Sequence, residues 1–413
     1  MTNESADKRE VGRVSLAEKI QGRQAQLKQA GLLRRRQKLD SVQVEPTKAS
    51  MHFVVDGVDY LNFSSNDYLG LTQEPELLTA LNLSAQEYGV GSGSSPLVTG
   101  YSQAHQLLEQ QLCKVTGHEA GLLFCSGFSA NTALMKTLFD SSDCVVADKL
   151  VHASIIDGLV DSKASLKRFL HNDLVSARRL LEKHKPQALV TESIFSMDGD
   201  SAPLASLSRL CREQGAWLIV DDAHGFGIQS ALPSNTVPAN ADVADIQVVT
   251  FGKALGCQGA AILGSQVLID FLVSNAREYI YSTALSPTSA SLALAAVKLT
   301  QGVSPKALTL AGNIAYFKQA CVSAKVVLSE SMTPIQPLII GDADKTVEVA
   351  QQLKALGVWV GAIRPPTVPK GSARLRITIT ALHTKSDIDK LVSALASMNI
   401  EVLASLVIRP VVR

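Results

Sequence analysis

Residues 248–264 read VVTFGKALGCQGAAILG, and the fold and chemistry of the chain are inferred outward from this stretch. It begins with an apolar run typical of a buried β-strand and then places one lysine, Lys253, among small residues and glycines. A lysine amine with its usual pKa of about 10.4 is protonated at neutral pH and is a poor nucleophile. At the end of a strand, a lysine can instead hold a carbonyl compound as a Schiff base. Taken alone, Lys253 would be interpreted as a solvated turn residue. The choice between this interpretation and a Schiff-base lysine depends on the rest of the chain.

Composition limits the class of protein. The chain has 413 residues, of which 46% are hydrophobic and 19% charged, enough for a large core and two or three domains. Its formal net charge of +1 provides no attraction to nucleic acid or to an anionic membrane. The sequence shows neither a secretory signal nor an apolar run of about 20 residues. We therefore expect a soluble cytoplasmic protein without nucleic-acid or membrane partners.

Several common site motifs are missing from the sequence. The six cysteines form no C-x-x-C pair and no histidines have H-E-x-x-H spacing, so we expect reduced thiols and no metal site. The glycines of residues 89–93 follow a helical pattern instead of a strand. They are therefore not a dinucleotide-binding G-x-G-x-x-G motif, which argues against a nicotinamide-dependent dehydrogenase.

Alternating patterns predict an α/β fold. Between residues 121 and 264, short apolar runs of strand type alternate with helical patterns. This order predicts βαβ units and a mainly parallel sheet with helices on both faces. The ligands of such sheets bind outside the carboxyl ends of the strands.

Different patterns flank this region. A helical pattern over residues 15–36 ends in a basic triplet, and residues 52–63 read as two short strands around a turn. After residue 302 strand and helix patterns are mixed, which predicts a smaller α+β domain before an apolar tail that starts at residue 400. We therefore divide the chain into an N-terminal segment of one helix and short strands (1–60), a large cofactor-binding domain (61–300) and a small C-terminal domain (301–413).

Polar residues follow several predicted strands and suggest a pyridoxal phosphate site. Lys253 can hold the aldehyde, and Asp221, after an apolar strand, can keep the pyridine nitrogen protonated. The helix that starts after Gly127 can bind the phosphate, and His152 can stack on the ring. Individually, Asp221 could be a solvated loop acid, His152 a capping histidine and His224 a packed one. All of these residues follow predicted strands, and this shared placement favours a cofactor site over the separate interpretations.

Five motifs carry a resemblance to a known family: NFSSNDYLG (62–70), SGFSAN (126–131), FSMDGD (195–200), DDAHG (221–225) and TFGK (250–253). Together they resemble the α-oxoamine synthases, which are fold-type I, pyridoxal-phosphate-dependent acyltransferases. The resemblance covers roughly residues 16–395. It implies that fold, pyridoxal 5'-phosphate as the cofactor, and a homodimer with active sites at the subunit interface.

The resemblance also assigns roles to single residues. Lys253 would bind the cofactor and move protons at the substrate's α-carbon, Asp221 would pair with the pyridine nitrogen, and His152 would stack on the ring. His224 would bond the phenolic oxygen of the cofactor. The further implied cofactor contacts are Gly127, Phe128, Ser196, Thr250 and Thr283, with residues 281–283 reaching the partner's cofactor. The implied substrate contacts are Arg376 for the amino-acid carboxylate, Arg34 for a distal acyl carboxylate, and Asn66 and Thr367.

Three segments narrow the expected reaction. Residues 33–36 (LRRR), 362–369 (AIRPPTVP) and 374–376 (RLR) most resemble the family members that join L-alanine to a pimeloyl thioester. The acyl carrier could be coenzyme A or a carrier protein. Glycine with an acetyl, succinyl or long-chain acyl thioester stays open as an alternative. A catalytically silent partner subunit is a further alternative, which the presence of Lys253 and Asp221 disfavours.

One loop departs from the family pattern. Residues 93–96 read GSSP where the family often has Gly-Gly-Ser. Because proline fixes φ and lacks an N–H donor, the family pattern does not determine the conformation of this loop or its contacts with the substrate.

Overall fold

The computed structural model describes residues 14–34, 36–42 and 50–398. Most of the predicted N-terminal tail, Arg35 of the basic triplet and the apolar tail after residue 400 lie outside the described residues. Within the described ranges, no helix is both long enough and apolar enough to cross a membrane.

Helices and strands alternate through the middle of the chain. The helices are α1 (Leu16–Gln29), α2 (Pro75–Tyr88), α3 (Gln103–Thr116), α4 (Gly127–Leu138), α5 (Ala153–Ser162), α6 (Leu174–His184), α7 (Leu204–Gln214), α8 (Gln266–Asn275), α9 (Arg277–Ile280), α10 (Pro287–Leu299), α11 (Pro305–Ser323), α12 (Ala343–Ala355) and α13 (Lys385–Ser397). The strands are β1 (Ser41–Val42), β2 (His52–Val55), β3 (Val58–Asn62), β4 (Ala120–Phe124), β5 (Cys144–Asp148), β6 (Ser165–Phe169), β7 (Ala188–Glu192), β8 (Trp217–Asp221), β9 (Ile246–Thr250), β10 (Ala260–Gly264), β11 (Ile335–Gly341), β12 (Val358–Trp359), β13 (Gly361–Ile363) and β14 (Ala373–Thr378).

The largest sheet has the order β4-β10-β9-β8-β7-β5-β6. Strand β10 is antiparallel to both of its neighbours, whereas β5 to β9 are all parallel. The mainly parallel sheet predicted from the sequence is therefore confirmed. Because β7, β8 and β9 are parallel neighbours, their carboxyl ends lie side by side at one edge of the sheet.

Helices cover both faces of this sheet, as predicted. Side chains alternate between the two faces of a strand, so Ile219 of β8 packs with helices α4, α5 and α8. Its neighbours Leu218 and Val220 point the other way and pack with α6 and α7. Strands buried on both faces read as continuous apolar runs, which is the pattern that predicted them.

The C-terminal region forms a second, smaller layer. Strands β11, β14 and β13 make an antiparallel sheet, while β12 pairs in parallel with β3 of the N-terminal segment. A single hydrophobic cluster continues from α2 and α10 into α11 and α13. The division of the chain at residues 60 and 300 stays a prediction, since these contacts run across both boundaries.

The first helix is shorter than predicted. Helix α1 ends at Gln29, where the N–H of Ala30 donates to Gln26 O, and Gly31 then adopts a left-handed conformation with φ of 66°. A residue with positive φ stops a helix, so the prediction of a helix to residue 36 was wrong. Arg34 therefore lies after the helix, in a segment without regular secondary structure.

The GSSP loop has a local explanation. Pro96 is the first residue of a short helical turn (Pro96–Gly100), a position at which a missing N–H costs no hydrogen bond. The loop is held by the N–H of Ala284, which donates to Ser94 O over 2.9 Å. Gly100 is required here because a Cβ on it would lie 2.3 Å from Ser94 O.

We expect Phe317→Ala, in the shared core, to lower the free energy of unfolding by about 3–5 kcal/mol. Phe317 is 0% exposed on α11, whereas Val322 on the same helix is 77% exposed. Val322→Ala is the matched control and should change the free energy by less than about 0.5 kcal/mol. Urea unfolding followed by circular dichroism measures both, and equal effects would contradict the continuous core.

Candidate active site

A cleft opens at the carboxyl ends of β7, β8 and β9. Its volume is about 360 Å³, and the last residues of these strands, Glu192, Asp221 and Thr250, all line it. It brings together eight residues that were predicted from the sequence: Asn66, Gly127, Phe128, His152, Asp221, His224, Thr250 and Lys253. Segments far apart in the chain thus converge on one cavity.

Lys253 and His224 lie in direct contact inside the cleft. Lys253 Nζ is 2.8 Å from His224 Nε2, and His224 Nδ1 is 2.6 Å from the hydroxyl of Tyr68. Burial lowers the pKa of Lys253 below its usual value, although the carboxylates of Asp221 and Glu192 act in the opposite direction. Burial, together with the charges of Lys253 and Arg376, holds the pKa of His224 well below its usual value. The histidine is therefore neutral at physiological pH, and the lysine is easier to deprotonate than a solvated one.

Asp221 is held in place by two donors. Asn131 Nδ2 donates to its Oδ2 over 2.7 Å, and the backbone N–H of Ala223 donates to its Oδ1 over 3.0 Å. Asn131 was not assigned a role from the sequence, although it lies in the SGFSAN motif. Asn131 lies four residues after Gly127, so both residues are on one face of α4. This spacing could have identified Asn131 from the sequence.

His152 is the N-cap residue of α5. Its Nδ1 is 2.8 Å from Ser154 Oγ, and its ring meets the ring of Phe128 edge-on, with centroids 6.3 Å apart. Burial lowers the pKa of His152, while the carboxylate of Asp221 acts against this shift. A neutral ring at the wall of the cleft, open on one side, can stack on a planar ligand.

Glu192 is a further buried acid that the sequence interpretation missed. It is the residue of β7 that pairs in register with Asp221 of β8, and its side chain lines the same cleft. Burial, and secondarily the charge of Asp221, raise the pKa of Glu192 well above its usual value. Its Oε1 has no hydrogen-bond partner among the described residues. Like Asp221, it ends an otherwise buried strand, and that parallel could have identified it.

Arg376, on β14, is a buried cation behind Asn66. Its Nε donates to Ser196 O over 2.6 Å, and its Nη1 donates to Asn66 Oδ1 over 3.1 Å and to Thr378 Oγ1 over 3.2 Å. Within the part of the chain that the structure describes, it pairs with no carboxylate. Its neighbour on the strand, Arg374, pairs with Asp198 instead. Arg376 is thus oriented by neutral acceptors and retains its charge for a ligand.

Five predicted residues, Arg376 among them, lie outside the cleft lining in the single chain. Ser196 contributes its carbonyl to Arg376, and Thr283 is exposed, with its carbonyl 3.5 Å from Cys125 Sγ. Arg34 and Thr367 are also exposed. Their segments are joined, because Arg364 Nη1 donates to Gly31 O over 2.6 Å. The structure therefore brings the two predicted acyl-binding segments together without placing their side chains in the cleft.

The cleft fits pyridoxal phosphate. Gly127 begins α4 so close to β9 that a Cβ on it would lie 2.5 Å from Thr250 Cγ2, which leaves the helix N terminus open to a phosphate. Lys253 supplies an amine and Asp221 a carboxylate, and the buried Asn131 Oδ1 has no partner among the described residues. An amine, a carboxylate and a helix N terminus are the groups that an aldehyde, a pyridine nitrogen and a phosphate need.

This fold and this site define a fold-type I pyridoxal-phosphate transferase. Residues 58–395 match the sequence model of the family "Aminotransferase class I and II". An 8-amino-7-oxononanoate synthase of Serratia proteamaculans is 45% identical over 348 residues, 84% of this chain and 91% of that protein. The chain therefore belongs to the α-oxoamine synthases, within the family of class I and II aminotransferases, and its cofactor is pyridoxal phosphate.

Solved structures agree with this assignment. An 8-amino-7-oxononanoate synthase from Francisella tularensis has a TM-score of 0.69 at 29% identity, covering 82% of this chain and 97% of that chain. A structure of "SPT with PLP internal aldimine" has a TM-score of 0.83 at 25% identity, covering 93% of this chain and 98% of that chain. Both place the chain in the same fold, and the second holds pyridoxal phosphate.

We expect Gly127→Ala to weaken cofactor binding about tenfold, because the added methyl overpacks against Thr250 Cγ2. Thr250→Ser removes that methyl and keeps the hydroxyl, so the double variant should bind pyridoxal phosphate within about twofold of Thr250→Ser alone. Visible absorbance during cofactor titration gives the dissociation constants. An unrescued double variant would mean that the glycine is needed for another reason.

Proposed function

We propose that the protein joins L-alanine to a pimeloyl thioester, the reaction of an 8-amino-7-oxononanoate synthase in biotin biosynthesis. The α-carbon of alanine bonds to the acyl carbon, the thioester C–S bond breaks to release the thiol carrier, and the alanine carboxylate leaves as CO₂. The observation that carries this proposal is Lys253 Nζ at 2.8 Å from a neutral histidine in the cleft. Behind Asn66 at the cleft wall lies the buried Arg376, which pairs with no carboxylate among the described residues. The name of the Serratia proteamaculans relative, at 45% identity, supports the same reaction.

Lys253 is the group that moves protons. Pyridoxal phosphate, when bound, supplies an electron sink for the pair left behind when the α-proton of the amino acid is removed. Because burial lowers its pKa, Lys253 can take up that proton once its amine is free. His224 is neutral and 2.8 Å away, so it can orient the amine without competing for the positive charge.

Asp221 and His152 set the environment for this proton transfer. The carboxylate of Asp221, fixed by Asn131, faces the position where a cationic ring nitrogen is stabilised. His152 lines the cleft and is exposed in the single chain, so it is free to cover one face of the bound ring and exclude water from it. Both effects are preorganised, and contacts of this kind contribute on the order of 3–4 kcal/mol each to catalysis.

Arg376 is the proposed site for the carboxylate of alanine. A guanidinium binds a carboxylate well because it offers parallel N–H donors in a fixed plane. Its Nε and Nη1 donate to the neutral acceptors Ser196, Asn66 and Thr378. Arg376 also interacts with the Tyr68 hydroxyl. Its positive charge, which pairs with no carboxylate among the described residues, is what we propose that the substrate carboxylate binds.

Arg34 is the proposed contact for the far end of the acyl chain, together with Thr367. A terminal carboxylate would distinguish a pimeloyl group from a simple fatty acyl group, and arginine suits its recognition. Coenzyme A and a carrier protein are both compatible with an exposed binding segment. A succinyl thioester would meet the same arginine, so chain length is the property to test.

We further propose that the enzyme works as a homodimer in the cytoplasm. Three large hydrophobic side chains are well exposed in the single chain: Val98 at 74%, Tyr281 at 71% and Phe128, which lines the cleft, at 50%. A second subunit would cover such side chains and bring residues 281–283 towards its own cofactor. The thiols of all six cysteines are free, which suits a reducing compartment.

We expect Lys253→Ala to reduce condensation by roughly 10³-fold or more, since it removes both the cofactor linkage and the proton carrier. Lys114→Ala, at an exposed position on α3, is the matched lysine control and should keep full activity. Carbon dioxide release from carboxyl-labelled alanine measures the reaction. Substantial turnover in the Lys253 variant would exclude the mechanism.

We expect Arg34→Ala to raise KM for pimeloyl-CoA about tenfold, because one charge-assisted contact is lost. The same variant should leave KM for heptanoyl-CoA, which has no terminal carboxylate, unchanged. Steady-state kinetics with both thioesters give this ratio. An equal rise in KM for both thioesters would mean that Arg34 does not bind the terminal carboxylate.

A further inference from the structure

The loop of residues 195–200 connects the large sheet to Arg376. It is closed on itself, because the N–H of Phe195 donates to Asp200 O over 3.0 Å and the N–H of Gly199 donates to Phe195 O over 2.9 Å. From this loop Ser196 O accepts the hydrogen bond of Arg376 Nε over 2.6 Å. The position of the loop therefore sets the plane of the guanidinium.

The C-terminal region holds one side of this loop. Ser331 Oγ and Thr333 Oγ1 both donate to Gly199 O, over 2.8 Å and 2.9 Å. Gly199 has φ of 68°, and a Cβ on it would lie 2.2 Å from Ile335 O, so only glycine permits this close approach. Arg374 adds an ion pair to Asp198. On this side the loop has little freedom to move.

A histidine between two carboxylates holds the other side. His171 Nδ1 is 3.0 Å from Asp148 Oδ1, and His171 Nε2 is 2.7 Å from Asp200 Oδ2. The imidazole also meets the ring of Phe195 edge-on, with centroids 4.4 Å apart. Asn172 donates a second hydrogen bond to Asp200 over 2.7 Å. His171 thus contacts both ends of the loop.

Asp148 makes this arrangement rigid. Its side chain is 0% exposed at the end of β5, and it accepts backbone N–H groups from Leu150 over 2.8 Å and from Asn172 over 2.9 Å. Burial lowers the pKa of His171, but hydrogen bonds to Asp148 and Asp200 outweigh it and raise the pKa to about 10. The imidazole is therefore charged at neutral pH and can donate from both nitrogens at once.

We propose that His171 is a positioning residue for amino-acid binding: it ties Asp200 to the fixed Asp148, holds the 195–200 loop, and thereby orients Arg376 towards the substrate carboxylate. This inference rests on the proposed function of Arg376. Among the described residues, His171 makes no hydrogen bond, ion pair or ring contact with a residue that lines the cleft, so we infer that it acts through the loop. Small displacements of a group that contacts a ligand lower affinity strongly when binding depends on the exact geometry of that contact.

Two conservative variants separate the contacts of His171. In His171→Asn the amide nitrogen falls near the former Nδ1, so Asp148 keeps its partner and Asp200 loses one. In His171→Gln the amide nitrogen falls near the former Nε2, so the contact with Asp200 and the loop is kept. Both remove the positive charge, which makes the pair a matched test of the loop contact.

The test compares two amines on the holoenzyme. L-Alanine and L-alaninol share the amino group and methyl, but alaninol has no carboxylate. We expect His171→Asn to weaken L-alanine binding about tenfold and alaninol binding less than about twofold, measured as dissociation constants from visible absorbance titrations. His171→Gln should restore most of the alanine affinity. Leu181→Val, in the core under the same part of the sheet, controls for a general loss of stability.

A double-variant cycle decides whether the effect passes through Arg376. In the Arg376→Lys background, His171→Asn should cause no further loss of alanine affinity, since the oriented guanidinium is already absent. An equal loss for alanine and alaninol, or a full effect of His171→Asn in that background, would overturn the positioning role. If Arg376→Lys itself leaves the preference for alanine over alaninol unchanged, the assignment of Arg376 is wrong and the positioning proposal falls with it.

Discussion

The site depends on placing two carboxyl groups side by side at the ends of adjacent parallel strands. Glu192 and Asp221 are register partners on β7 and β8, and both are buried in the cleft. Two neighbouring buried carboxylates cannot both carry a charge at low cost. Asp221 has two hydrogen-bond donors, whereas the pKa of Glu192 is raised well above its usual value by burial and by Asp221. Asp221 is therefore the carboxyl group that hydrogen-bond donors fix in the cleft, whereas the raised pKa of Glu192 favours its protonated form.

Burial also lowers the pKa values of the basic groups in the site. Lys253 and His224 lie close together, and Arg376 adds a permanent charge that lowers the pKa of both. A buried cation without a carboxylate partner is unfavourable until an anion binds to it. An amino-acid carboxylate bound as we propose would offset this charge.

Much of the fold could be predicted because local pattern decides it. Apolar runs of strand length predicted β4, β5, β7, β8 and β9 and a mainly parallel sheet, and the position of Lys253 after such a run predicted the cleft. Strand β6 was not predicted, because its sequence SLKRF is not an apolar run. The end of α1 was wrong because the pattern of charged and apolar residues continues past Gly31, whose positive φ stops the helix. Tyr68, Asn131 and Glu192 were not assigned because their roles come from hydrogen bonds or register across strands, with partners distant in sequence. The periodicity of apolar residues in the sequence carries no information about contacts of that kind.

The cleft is also built from the two ends of the chain. Tyr68 and Asn66 come from the N-terminal part and Arg376 from β14, while Lys253 belongs to the central sheet. The two ends are joined directly, since the N–H of Thr378 donates to Phe63 O over 2.8 Å and the N–H of Ala381 donates to Tyr68 O over 2.8 Å. Such long-range contacts form only when both ends have packed on the sheet. Cofactor-binding groups thus depend mainly on the central sheet, whereas the carboxylate site exists only in the completely folded chain. Packing of the chain ends is therefore a condition for the carboxylate site that we propose at Arg376.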